Sequence, residues 1–203
     1  HFKKIIVKPI KKTKFEFISA YKGIVEMCEC DQMAHMNVQF YFEKHSKALQ
    51  LFVKQVFSKN SSTKIISERC IFQREILKND CIELIIFVKN INHNSIILLS
   101  KLYCISRKFV SAYFETIINF DEDSQKLAKR VFDFKKIFQI SYLQDVYLDN
   151  IRKLENILIP SKPAKNSFLT CRKAVNTWDI DSNGNATSKF MISCVSDAAT
   201  QFF

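Results

Sequence analysis

Between Cys30 and Phe42 the chain reads Cys-Asp-Gln-Met-Ala-His-Met-Asn-Val-Gln-Phe-Tyr-Phe. Within it a carboxylate (Asp31), an imidazole (His35) and a carboxamide (Asn37) fall close together. A carboxylate beside an imidazole can act as nucleophile or general base with its partner. The plainer reading of the same residues is that Asp31 and Asn37 cap a helix and His35 packs beside them.

What lies on either side decides how these groups are presented. Residues 15–30 read as a strand, with a possible break at Gly23, and residues 37–57 read as a helix. The polar cluster therefore sits in a tight strand-to-helix connection. Helix N-termini carry unpaired N–H groups and partial positive charge, which favour a developing oxyanion. On the helix, Val38, Phe42, His45, Leu49, Phe52 and Val56 recur with helical spacing, and Tyr41, Ala48 and Leu51 widen the stripe. A stripe that broad predicts a helix wrapped by other structure. His45 on that stripe is expected to be buried and hydrogen-bonded.

Asp31-Gln32-Met33-Ala34-His35-Met36-Asn37, with Tyr41 one turn into the helix, resembles the hot-dog thioesterases of the 4-hydroxybenzoyl-CoA thioesterase-like branch. Their pattern is Asp-x-x-Gly-His-x-Asn at the mouth of a long helix. Ala34 replaces the usual glycine, and Val38 stands where a second asparagine is frequent. Alanine resists the left-handed conformation that glycine adopts freely. The resemblance implies an α+β hot-dog fold, an antiparallel sheet wrapped around a long central helix. It also implies catalytic roles for Asp31, His35 and Asn37, with Val38, Tyr41 and Gly184 at the substrate. Glu43, further along the helix, is a weaker candidate carboxylate.

Composition bounds the alternatives. The chain has 203 residues, 47% of them hydrophobic and 19 of them Phe, enough for a substantial core. Two glycines exclude a P-loop or a glycine-rich dinucleotide fingerprint, and tight turns must fall to Asn, Asp and Ser. The net charge of +11 comes from scattered lysines, no nucleic-acid motif accompanies it, and no apolar run is long enough to span a membrane. Seven cysteines without a Cys-x-x-Cys are expected to be mostly buried free thiols in a reducing cytoplasm. Cys28-x-Cys30 makes a poor metal pair, and no metal site is expected.

After the helix come four strand candidates, at residues 63–75, 80–88, 96–106 and 109–120. His93 falls in a turn between two of them and should be exposed. The reading is thus a first unit over residues 1–120, a linker with helical content over 121–163, including a helix at 142–157, and the start of a second unit over 164–203. The second unit emerges on shifting the sequence by 150, from Asp31 to Asp181. Val25 then meets Val175, Phe40 meets Phe190, Ser46 meets Ser196, Ala48 meets Ala198 and Phe52 meets Phe202. The second motif reads Asp181-Ser182-Asn183-Gly184-Asn185-Ala186-Thr187, with Asn185 in place of His35. Tandem units resemble the double hot-dog thioesterases. On that reading the second unit breaks off before its strands, and Phe190, Phe202 and Phe203 are exposed unless a partner covers them.

The resemblance implies hydrolysis of an acyl-CoA thioester, with coenzyme A as part of the substrate and no separate cofactor. The partner unit would come from a pseudo-dimer within the chain or from a homodimer. Two alternatives remain open: a non-catalytic acyl-thioester binding protein, and a hot-dog enoyl-CoA hydratase or dehydratase.

Overall fold

A computed structural model describes residues 18–56, 63–92, 94–120, 171–181 and 184–200. Five antiparallel strands form one sheet: β1 (Ile18–Ile24), β2 (Thr63–Phe72), β3 (Cys81–Ile91), β4 (Ser95–Cys104) and β5 (Phe109–Phe120), in the spatial order β1-β3-β4-β5-β2. Helix α1 (Val38–Val56) joins β1 to β2, and a second helix, α2 (Ser188–Thr200), follows near the end of the described residues. The expected helix at 142–157, the linker at 121–163, and His93, Phe202 and Phe203 lie outside the described residues.

The strands β3, β4 and β5 are joined by short turns and form the middle of the sheet. Alternate residues send Ile82, Leu84 and Ile86 of β3, Ile96, Leu98 and Leu102 of β4, and Ala112, Phe114 and Ile118 of β5 into the main core, all essentially buried. Phe42, Ala48, Leu49 and Phe52 of α1 complete that core, and Phe42 meets Phe114 edge-on at 5.6 Å. A smaller cluster of Ile85, Phe87 and Leu99, joined by Ile71 and Tyr113, forms a second buried group.

Several sequence expectations shift. The first strand runs through Gly23 and ends at Ile24, while Met27–Glu29 form a 3-10 turn. The cause is local: Val25 donates its amide to Asp80, and the side chains of Glu26 and Glu29 cap each other's backbone amides. The second strand stops at Phe72 because the amides of Gln73 and Arg74 turn to the Ser111 carbonyl. With glycine so scarce, left-handed turn positions fall to Asn79 (φ 66°) and Lys108 (φ 57°). Asparagine fits the expectation for such turns; lysine departs from it. The helix is less enclosed than its stripe suggests, for Val38 is 40% and Leu51 43% exposed. Of the seven cysteines, all free, Cys104 is buried, Cys28 is exposed and the others are half-buried. Their partial exposure follows from where they fall: Cys70 on the edge strand β2, Cys81 at the first position of β3, Cys194 on α2, and Cys30 and Cys171 outside the strands and helices.

Candidate active site

The strand-to-helix connection is held by its own backbone. The Asp31 amide donates to the His35 carbonyl at 2.8 Å, and the Ala34 amide returns to the Asp31 carbonyl at 3.1 Å. Oδ1 of Asp31 accepts the amides of Met33 and His35, both at 2.9 Å. Its Oδ2 accepts nothing among the described residues, and the residue is exposed. One oxygen therefore anchors the carboxylate.

Ala34 takes the left-handed conformation, φ 64°, at the place where glycine is usual. The loop thus reaches the geometry that a glycine would give, at a strain cost of about 1–2 kcal/mol for a residue with a Cβ. Asn37 caps α1: its Oδ1 accepts the Gln39 amide at 3.2 Å, and its own amide donates to Glu29 at 2.9 Å. Val38 is the first helical residue and is partly exposed at the helix end.

His35 is linked to Asp31 through the backbone, while its imidazole Nδ1 lies 3.3 Å from Glu75. The sequence pairs the imidazole with Asp31 or a substrate carbonyl, and gives no sign of Glu75, which arrives from the β2–β3 connection. Tyr41 is 4% exposed, and its hydroxyl accepts the Ile76 amide at 3.2 Å and lies 3.4 Å from Ser111 Oγ. Burial pushes its phenol pKa up. Tyr41 fastens the β2–β3 connection to α1 and sits beneath the site's surface.

The floor of the connection is fixed by a buried ion pair. Lys44, 2% exposed, reaches Glu29 at 2.7 Å. His45 is fully buried, as expected. It stacks on Phe114 at 4.0 Å, its Nδ1 lies 2.5 Å from Glu68 Oε1, and its Nε2 lies 3.0 Å from Ser100 Oγ. Glu43 lies between Lys47 at 2.8 Å and Lys189 at 2.6 Å. Burial opposes ionisation there, but hydrogen bonds from Lys189 and Lys47 outweigh it and hold the carboxyl below its ordinary value.

The same backbone pattern recurs around Asp181. The amide of Asp181 donates to Asn185 at 2.8 Å, Gly184 returns to Asp181 at 3.1 Å, and Oδ1 accepts the Asn185 amide at 2.9 Å. Gly184 has φ 79°, and among the described residues, its chain neighbours aside, no atom lies within 4 Å of the point where a Cβ would stand. Thr187 caps α2 through the Phe190 amide. The loop carrying Gly184 holds no imidazole.

Helix α2 lies against α1. Lys189 sits over the Phe40 ring at 4.8 Å, Ile192 packs on the main core, and Ser188 donates its hydroxyl to Glu68. A cavity of about 340 Å³ opens beside α2, lined by Lys173, Asn176, Trp178, Phe190 and Ser193. Among the described residues, no cluster of His, Cys, Asp and Glu could hold a metal ion, and no helix is long and apolar enough to cross a membrane.

No protein-family model matches this chain. No curated protein matches it either. Solved structures do. A hypothetical protein of Staphylococcus aureus, solved in complex with CoA, superimposes with a TM-score of 0.60 at 12% identity, over 74% of this chain and 100% of that one. A candidate thioesterase of Pseudomonas putida KT2440 gives 0.51 at 12% identity, over 64% and 94%. The PA5185 protein of Pseudomonas aeruginosa gives 0.52 at 14% identity, over 63% and 94%. At such identities the likeness shows the fold alone: an antiparallel sheet with a helix, the hot-dog arrangement.

Proposed function

We propose that this chain is an acyl-CoA thioesterase of the 4-hydroxybenzoyl-CoA thioesterase-like kind, with its chemistry at Asp31. The observation that carries the reading is the divided Asp31 carboxylate. Oδ1 is held by two backbone amides, and Oδ2 takes no hydrogen bond among the described residues, in an exposed residue of the loop that Asn37 joins to α1. An oriented carboxylate next to unpaired helix amides can attack a thioester carbonyl, or draw a proton from the water that does. The helix-end amide of Val38 is the donor best placed by sequence to meet the oxyanion. Asn37 braces the loop, and coenzyme A leaves as the thiol. The His35 imidazole pairs with Glu75, and what reaches the Asp31 carboxylate is the His35 backbone amide; this weakens the dehydratase reading, because that chemistry needs the two side chains to work on one carbon.

Residues 171–200 start a second unit in this reading, with α2 in the place a partner subunit's helix would take. Support comes from the repeated loop and from burial that differs at the same offset. Val25, Tyr41 and His45 are 0%, 4% and 0% exposed, whereas Val175, Met191 and Val195 are 53%, 57% and 65%. Two positions that are buried on α1, Tyr41 and His45, thus have exposed counterparts on α2, Met191 and Val195. Seven free thiols suit a reducing compartment such as the cytoplasm.

The test is thiol release from a panel of acyl-CoAs, short, long and aromatic. Asp31→Asn keeps the loop's acceptor oxygen and removes the base, so turnover should fall by about 10²-fold or more while circular dichroism stays unchanged. Hydrolysis at the parental rate by a folded Asp31→Asn protein overturns the assignment. Tight binding of a CoA ester without thiol release by the parent favours the non-catalytic reading instead.

A further inference from the structure

Four polar side chains from four elements form a hydrogen-bonded string beneath the start of α2, and Thr116 stands opposite Glu68 in the strand register. His45 comes from α1, Glu68 from β2, Ser100 from β4, Thr116 from β5 and Ser188 from α2. His45, Ser100 and Thr116 are 0–1% exposed, and the Glu68 side chain is 6% exposed. A carboxylate can only accept, so Glu68 takes the His45 Nδ1–H on one oxygen and the Ser188 hydroxyl on the other. His45 in turn is held at Nε2 by Ser100 and stacked on Phe114. Serine, imidazole and carboxylate are strung here in the order of a hydrolytic triad. Ser100, at 1% exposure on an inner strand, has no route to a substrate, so the string is read by what it holds.

What it holds is α2. Glu68 is fixed from behind by His45, itself held by Ser100, and presents its remaining oxygen to a residue 120 positions away. The Lys189–Glu43 pair, next along the helix, adds a second polar tie to α1. The shift of 150 residues shows that the device exists once. The counterpart of Ser188 is Val38 and that of His45 is Val195, and neither valine can take part in such a chain. We infer that Glu68 and His45 are positioning residues which, through the Ser188 hydroxyl, fix the N-terminal turn of α2 against the first unit. In doing so they fix the wall that α2 raises over Phe40, three residues past Asn37. The consequence for substrate rests on the thioesterase reading; the mechanical claim does not.

Ser188 occupies the first position of α2, where alanine is the better helix former, so loosening in Ser188→Ala cannot be blamed on helix propensity. Hydrogen exchange followed by mass spectrometry on the whole chain is the measurement. Ser188→Ala should speed exchange in the first turns of α2 by about tenfold or more, the scale of a lost hydrogen bond to a charged group. Peptides from β3 and β4 should be unchanged, and Ser188→Thr, which keeps the hydroxyl, should restore protection. Glu68→Gln should loosen α2 with Ser188 intact, and if that variant unfolds the sheet, the two Ser188 variants still decide. In the acyl-CoA assay Ser188→Ala should raise KM more than it lowers kcat. Unchanged exchange in Ser188→Ala, or equal loosening in the alanine and threonine variants, overturns the inference. A chain that releases no thiol at all removes only the substrate consequence, because the exchange result is read without it.

Discussion

Ala34 adopts φ 64°, and this makes Ala34→Gly a substitution whose sign is set by two opposed terms. A Cβ in the left-handed region costs about 1–2 kcal/mol. Glycine removes that strain but enlarges the unfolded chain's freedom, which costs about 0.4–1 kcal/mol. The strain term is the larger, so Ala34→Gly should stabilise the protein by about 0.5–1 kcal/mol. With a urea slope of about 2 kcal/mol/M, the midpoint should rise by about 0.25–0.5 M with the slope unchanged. The Asp31 loop is already in the glycine-like geometry, so thiol release should not change. Gly184→Ala is the mirror experiment. At φ 79° none of the described residues, its chain neighbours aside, lies near its Cβ position, so any loss is backbone strain rather than crowding, and it should appear as faster exchange of the Asn185 amide. A lower midpoint for Ala34→Gly would refute the reasoning, because it would mean that the loop does not carry left-handed strain at this residue.

Three other outcomes follow from the described contacts. The Thr116 hydroxyl is buried and finds no partner among the described residues, so the near-isosteric Thr116→Val should hold or raise the thermal midpoint, by up to about 1 kcal/mol in stability. Asp80, 7% exposed, accepts from Arg107 at 2.6 Å and from the Leu77 amide at 2.8 Å. Arg107→Ala strands that carboxylate and should cost about 1–3 kcal/mol, discounted because Arg107 is itself part-exposed, whereas Lys108→Ala should leave the denaturation midpoint within about 0.5 kcal/mol. Glu43 is held below its ordinary value by Lys189 and Lys47 against the pull of burial. Its contribution to holding α2 is therefore complete above the ordinary glutamate value and is lost as pH falls through the lowered native one. The lone tryptophan, Trp178, lines the same cavity as Phe190 of α2, so its emission should shift in that acid window, and the shift should move toward higher pH in Lys189→Met.

The sheet was legible because apolar runs bounded by turn residues mark β3 and β4, alternation marks β5, and each of the three buries side chains in the main core. Boundaries were less legible where the backbone finds partners far away. Nothing near Val25 announces that its amide will seek Asp80, and nothing near Phe72 announces the Ser111 carbonyl. The same limit applies at the site. The Asp31 loop and the Asn37 cap are local patterns and could be read from seven residues. Glu75 beside His35, and Glu68 and Ser100 around His45, come from other strands and connections, and only the pairing register brings them in. A buried partner for His45 was foreseeable from its place on the apolar stripe; its identity was not.

The sheet order has a kinetic side. The strands that precede and follow α1 in the chain, β1 and β2, stand at opposite edges of the sheet. The three strands between them are joined by short turns and can zip by hairpin steps, whereas β1 reaches β3, and β2 reaches β5, only by closing long loops, from Ser19 to Ile85 and from Ile65 to Ile118. Such closures are slow relative to hairpins. The order of assembly this favours is a β3–β4–β5 nucleus, then α1 on its apolar face, and last the two edges. The Asp31 connection joins an edge strand to that helix, so the Asp31 loop takes its final shape in the closing step, after most of the core has already formed.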